Sequence, residues 1–262
     1  MGVPYAIIGG TGVYDPQILS NIREEVIPTR YGEITVKIGT YAGNEVAFLP
    51  RHGEKHSVPP HLINYRANIW GLKELGVKKI IATAAVGSLN EQMRPGDFVL
   101  VDQFLDFTHG RIQTFFEGGE HGVVHVDLTF PYCQELREVL AQAAQEIGLT
   151  AHFGGTYICT QGPRFETAGE IRMFQKLGGD LVGMTTVPEV VLAREAGICY
   201  ATVAMVTNFA AGISPTRLTH QEVLDVMKQN GENLRRLIMQ AVAKLTEERY
   251  CDCGQILEEV KP

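Results

Sequence analysis

No stretch of this sequence stays apolar for long enough to cross a bilayer. The nearest run, 190–206, is interrupted by Arg194 and Glu195. A surplus of positive charge is also missing. Lys and Arg number 23 against 30 Asp and Glu, a net charge of -7. That balance removes the broad field of a nucleic-acid binder, so any anionic ligand must be held by a few placed donors. There is no internal repeat, no low-complexity tract and no evident linker. No basic region or cleavage signal precedes the apolar run at Tyr5, which makes a cytoplasmic location the expectation. Cysteine is sparse and odd in number, at five. Cys133, Cys159 and Cys199 lie in apolar contexts and read as small buried hydrophobes. Cys251-Asp252-Cys253-Gly254 is either a redox pair or half a metal site, or else two free thiols on a mobile tail beginning near 249. Because no other Cys or His cluster completes a site by spacing, the free-thiol reading is preferred and no metal is expected.

What the chain does have is a core-sized apolar fraction, 45% of 262 residues against 20% charged. A core of that size supports a cleft without disulfides or metals. The recurring unit is a short β-rich apolar run that ends in a polar or glycine-rich loop. Examples are 5–8 before Gly9-Gly10-Thr11-Gly12, 45–49 before Pro50-Arg51-His52-Gly53, and 79–83 before a loop at Ala84-Ala85-Val86-Gly87-Ser88. The runs 97–101, 156–159, 180–183 and 200–206 continue the pattern. Continuous runs of this kind suit strands buried on both faces. Helical spacing appears between them over 61–75, 134–147, 166–177 and 219–244, with Thr219 as an N-cap for the last. The alternation predicts one α/β domain with a central mixed, largely parallel sheet flanked by helices. The segment 107–130, rich in His, Gly and charge, reads as a long functional excursion.

In open α/β sheets ligands collect at the carboxyl ends of strands. The glycine loop carrying Thr11 can turn amide N–H groups toward an oxyanion. It lacks the lysine of a P-loop and the full dinucleotide fingerprint, so by itself it equally describes a tight turn. Arg51 offers a planar fork that fits phosphate, and His52 can add a donor. Thr185, after Gly183-Met184, adds a neutral hydroxyl.

The tracts Gln161-Gly162-Pro163-Arg164-Phe165-Glu166, Val182-Gly183-Met184-Thr185-Thr186-Val187-Pro188-Glu189 and 200–208, ending in Asn208, resemble the trimeric purine nucleoside and methylthioadenosine phosphorylases. The resemblance spans most of the chain and implies a single phosphorylase domain over 1–262. It implies phosphate binding by Thr11, Arg51, His52, the loop at Ala84 and Ala85, and Thr185. One departure stands out, since Ala84 occupies a position where the family often has a hydroxyl residue. Phe165, Glu166, Gly183, Met184, Asn208 and His220 are implied to hold the nucleoside. His125 is implied to be lent to a neighbouring subunit. Catalytic work falls to Asn208, His52 and Glu166. No metal or organic cofactor is implied, inorganic phosphate being a co-substrate. The implied assembly is a homotrimer or a dimer of trimers, with neither nucleic acid nor membrane as partner.

The base-facing pair is the most specific part of this reading. In the family an asparagine at the Asn208 position goes with 6-oxopurines and an aspartate with 6-aminopurines. Glu166 can accept from the N1–H that a 6-oxopurine carries and adenine lacks. Methylthioadenosine-cleaving members have a small polar residue at the Glu166 position and an apolar one at His220, and tend to carry a second aspartate where this chain has Ala210. The expected activity is phosphorolysis of inosine and guanosine in purine salvage. Methylthioinosine is the alternative substrate, methylthioadenosine a weaker one, and a non-catalytic nucleoside binder on the same fold a third reading.

Overall fold

A computed structural model of the protein describes residues 2–9, 19–53, 57–213 and 220–255, except the side chains of His121, His220 and Glu222. Its centre is a set of strands whose sequences are apolar on both faces. β1 (Tyr5–Gly9) is buried throughout, and it pairs in parallel with β4 (Asn44–Pro50) and with β5 (Lys79–Ser88). On its other edge β5 pairs in parallel with β11 (Cys199–Phe209), buried at every position except its last. The sheet runs outward from β4 through β3 (Gly32–Tyr41) to β2 (Ser20–Thr29), both antiparallel. From the far end of β5 it continues through β10 (Leu181–Gly183), β9 (Thr156–Thr160) and β7 (Gln103–Phe107). β6 (Phe98–Leu100) flanks β11, and β8 (Ala151–Phe153) flanks β6. Six of the ten pairings between these strands are parallel, which is the mixed, largely parallel sheet the sequence predicts.

Helices cover both faces. α1 (Tyr65–Glu74) packs against α4 (Thr186–Glu195), and α2 (Gln134–Glu146) against α5 (His220–Lys244). Each pair closes one of the two large hydrophobic clusters on either side of the sheet. α3 (Ala168–Lys176) packs Ile171 and Phe174 into a third, smaller one. None of the helices among the described residues is long and apolar enough to cross a membrane.

Several elements depart from the sequence expectation. The hairpin β2–β3 carries Arg23, Glu24 and Glu25 on an exposed edge strand, so its outer half lacks an apolar signature. α4 is buried along its whole length, and a helix buried on all sides has no amphipathic period to read. Val187 inside it is extended at φ -111 and ψ 129, as a residue preceding proline is driven to be. Ala84 and Ala85 belong to no loop, because β5 continues to Ser88 while β11 supports it residue by residue. The excursion is irregular over 108–118 and 122–133, with a short 3-10 turn at Gly119–His121. It is nonetheless anchored through buried Phe115, whose N–H donates to Glu195 at 2.8 Å. The stretch expected to form a tail is docked as far as 255. Arg249 donates to the Gly197 carbonyl at 2.9 Å, and Cys253 is buried.

Candidate active site

The site lies where strands part. β1 pairs with β5 only as far as Ala82, and β10 joins the same edge at Gly87. Between them, residues 83–86 of β5 have β11 on one side and a cavity of about 770 Å3 on the other. Such a parting of neighbouring strands is where an α/β sheet leaves room for a ligand. Ala84 and Ala85 line this gap without side-chain donors. What they offer an anion is unobstructed space and one outward backbone amide, since alternate N–H groups of the strand are directed at β11.

Arg51 and His52 follow the end of β4 and enter the cavity from one side. The Arg51 guanidinium is buried and clamped. Its Nε and Nη2 donate to the two carboxylate oxygens of Glu189 at 2.7 and 2.6 Å, and Nη1 donates to the Thr83 carbonyl at 2.9 Å. Burial opposes the charge, but the Glu189 carboxylate outweighs it and holds Arg51 protonated well above its ordinary range. Tyr200 donates its hydroxyl to Glu189 at 2.7 Å. A guanidinium carries five N–H donors, and the contacts among the described residues use three of them. His52 places Nδ1 at 2.8 Å from the Val58 carbonyl, which can only accept, so the proton sits on Nδ1. Thr185 is buried at the start of α4, and its N–H donates to the Tyr157 hydroxyl at 3.4 Å.

On the opposite side stand Asn208 and Glu166. β11 carries one extra residue between Val206 and Asn208 relative to β5, a β-bulge at Thr207. Strict alternation would send Thr207 and Asn208 to opposite faces. The bulge lets Met205, Thr207 and Asn208 all line the cavity. The Thr207 hydroxyl donates to Asn208 Oδ1 at 2.8 Å, and Asn208 Nδ2 donates to the Phe209 carbonyl at 2.9 Å. Both bonds fix the same amide orientation and leave the second Nδ2 proton for a ligand. Glu166 accepts from the Thr160 hydroxyl at 2.6 Å, and its burial raises its pKa above the usual carboxylate range.

Phe165 lines the mouth with 40% of its surface exposed, and Met184 forms part of the wall. The Met184 carbonyl accepts from Arg111 at 2.8 Å, which fixes the backbone at that point of the wall. Gly183 is required for packing, because a Cβ there would collide with the Tyr157 hydroxyl. Val223, Leu224 and Met227 of α5 close the remaining wall. His125 is exposed and does not line the cavity of its own chain. Thr11 and the side chain of His220 lie outside the described residues.

The cavity thus has a cationic end at Arg51 and a hydrogen-bonding end at Asn208 and Glu166, with an apolar wall between. That division suits a ligand that meets an anion at one side and presents a polar heterocycle at the other, as a nucleoside phosphorolysis site requires. The Phosphorylase superfamily profile matches residues 4–243, and the chain belongs to that family. It is 64% identical over 249 residues to the "Probable 6-oxopurine nucleoside phosphorylase" of Moorella thermoacetica, covering 95% of this chain and 96% of that one. It is 55% identical over 258 residues to the "6-oxopurine nucleoside phosphorylase" of Pyrococcus furiosus, covering 97% of each. Among solved structures, a methylthioadenosine phosphorylase sourced from an Antarctic soil metagenomic library superposes with a TM-score of 0.93 at 38% identity, covering 99% of this chain and 92% of that one.

Sequence reading missed the groups that hold the site residues in place. Glu189 and Tyr200 fix Arg51, Thr207 fixes Asn208, and Thr160 fixes Glu166. A carboxylate inside the apolar segment 181–193 was the one available signal for Glu189, since a buried acid demands a buried cation. Arg111 also escaped notice. It braces the site by donating to the carbonyls of Thr160, Gln161, Met184 and Val187.

Proposed function

We propose that the protein is a 6-oxopurine nucleoside phosphorylase. An oxygen of inorganic phosphate attacks C1′ of inosine or guanosine as the glycosidic bond breaks. The bonding pair leaves with the purine, which takes up a proton to give hypoxanthine or guanine, and ribose 1-phosphate remains. The observation that carries this reading is the joint placement of Asn208 and Glu166 in the cavity that also holds Arg51. The free Nδ2 proton of Asn208 suits purine O6 or N7, and the Glu166 carboxylate suits N1–H. The Asn208 bond strengthens as negative charge grows on the departing base, so it stabilises the transition state more than the ground state, while Glu166 selects and orients the base through N1–H. Arg51, His52, Thr185 and the strand backbone at Ala84 and Ala85 bind phosphate, with Thr11 as a further donor. Phe165 and Met184 contact the base and sugar, and His220 takes the 5′-hydroxyl. No metal or organic cofactor takes part in the chemistry.

A methylthio-nucleoside is the second reading, and one observation favours it. Val223, Leu224 and Met227 give the α5 wall an apolar surface that suits a thioether. Glu166 would keep the base a 6-oxopurine, which makes the second substrate methylthioinosine. We further propose a cytoplasmic homotrimer, or a dimer of trimers, in which His125 completes the neighbour's pocket.

The deciding experiment measures free base released from inosine, guanosine, adenosine, methylthioinosine and methylthioadenosine, with and without phosphate. Phosphate-dependent release from inosine and guanosine supports the first reading. Preference for methylthioinosine supports the second. Nucleoside binding without turnover would replace both with a binding protein.

A further inference from the structure

Four sulfurs from three distant parts of the chain converge away from the cleft. Cys133 sits at the N-cap of α2, Cys199 opens β11, Cys251 caps a 3-10 turn at Asp252–Gly254, and Cys253 lies within that turn. Their Sγ atoms all lie within 4.8 Å of one another, and those of Cys199 and Cys251 are 3.4 Å apart. All four are free thiols, three of them buried and Cys251 half-buried. Thiols that only fill apolar space have no reason to meet. Cys159 is such a thiol, buried alone with its S–H toward the Val187 carbonyl at 3.6 Å.

A tetrahedral zinc ion with Zn–S bonds of about 2.3 Å sets its sulfurs about 3.8 Å apart. The observed separations bracket that spacing. Four soft ligands select zinc over hard cations, and four protein ligands leave no open position, which is the pattern of a structural site. Four thiolates around a divalent ion carry a surplus negative charge that needs support from outside the ligand shell. Arg194 supplies part of it, being buried with Nη1 donating to Cys253 Sγ at 3.3 Å while the guanidinium also reaches the exposed Asp252 carboxylate at 3.5 Å. Binding would release the thiol protons to solvent.

We propose that Cys133, Cys199, Cys251 and Cys253 form a structural zinc site that ties the C-terminal segment to the starts of α2 and β11. The same segment is otherwise held by a few polar contacts. Lys79 donates to the Glu248 carbonyl at 2.9 Å, and the Tyr250 N–H donates to Glu135 at 2.8 Å. The metal would add a tether at the end of β11 opposite to Asn208.

The test uses the untagged full-length chain, produced with zinc in the medium and purified under reducing conditions without chelator. Elemental analysis is expected to find about one zinc per chain, falling below about a tenth in the C251S/C253S double variant. Replacing zinc with Co(II) should give thiolate-to-metal charge-transfer absorption and the d–d bands of a tetrahedral site. That spectrum, read on the unaltered chain and on C253S alone, decides the matter if the double variant fails to fold. Zinc below about a tenth per chain after equilibration with excess ion would overturn the proposal, whether five thiols then titrate or intact mass reveals two disulfides. Retention of zinc by a folded double variant would overturn it equally.

Discussion

Asn208 is held by two bonds that distinguish its oxygen from its nitrogen, so a change to aspartate alters more than charge. The Phe209 carbonyl, 2.9 Å from Nδ2, would then face a carboxylate oxygen and favour its protonated form. N208D should therefore lose activity on inosine and gain it on adenosine. The exchange in kcat/KM ratio is bounded by ~10⁴–10⁵, the scale on which a mismatched buried polar group discriminates. Steady-state rates on both nucleosides check this, and an unchanged preference for inosine would remove Asn208 from the specificity argument. Glu166 carries a pH prediction. The contact to N1–H needs the carboxylate, and burial raises its pKa, so the acid limb of kcat/KM on inosine should lie above the ordinary carboxylate range. In E166Q that limb should vanish while the plateau falls by roughly 10–10², the cost typical of losing one hydrogen bond to a charged group. Glu189 reaches the ligand only through Arg51. E189Q leaves a buried guanidinium without its countercharge and should destabilise the fold by about 3–5 kcal/mol. Denaturant titration gives that figure, and KM for phosphate should rise more than kcat falls.

At the scale of elements, α3 shows how much of the site's frame depends on local chemistry. Its capping box is complete. The Thr167 hydroxyl accepts from the Glu170 N–H at 3.1 Å, and Glu170 accepts from the Thr167 N–H at 2.7 Å. Thr167→Ala should cost about 1 kcal/mol in global stability, readable by thermal or urea unfolding. Glu170 also accepts from Arg164, and that contact is the main reason its pKa is depressed to about 2. The stability it adds is present above the ordinary glutamate pKa and is lost as pH falls toward 2, by a small amount because the group is exposed. The sequence marked α3 and most of the central strands, since apolar runs and helical periods are local signals. It did not mark α4, whose burial removes periodicity, nor β2–β3, whose edge is polar. It ended β5 too early at Thr83, because the support that extends the strand comes from β11, more than a hundred residues later.

For the whole molecule, the His125 assignment makes a prediction about assembly. If each pocket borrows His125 from a neighbour, H125A and N208A subunits should each be impaired, and mixing them should restore about a quarter of the pockets at random assembly. Recovery of phosphorolysis on co-refolding checks this. Its absence with intact mixed oligomers would return His125 to the surface. The cysteines carry the lesson of scale further. Cys251 and Cys253 alone suggested two free thiols, because spacing along the chain counts only sequence neighbours. Cys133 and Cys199 reach them through the fold.

By itself the sequence determined the alternation of strands and helices, the direction of the sheet, and the residue types at Arg51, Glu166, Thr185 and Asn208. Each of these is written in hydrophobic period or in a short motif. Only the tertiary structure decided which atoms those side chains present. Glu189 turns Arg51, the bulge at Thr207 brings Asn208 into the cavity, and the parting of β1 from β5 opens the space they share. The physical reason is that orientation is set by hydrogen-bond partners and strand register across the sheet, and neither is a property of neighbouring residues in the chain.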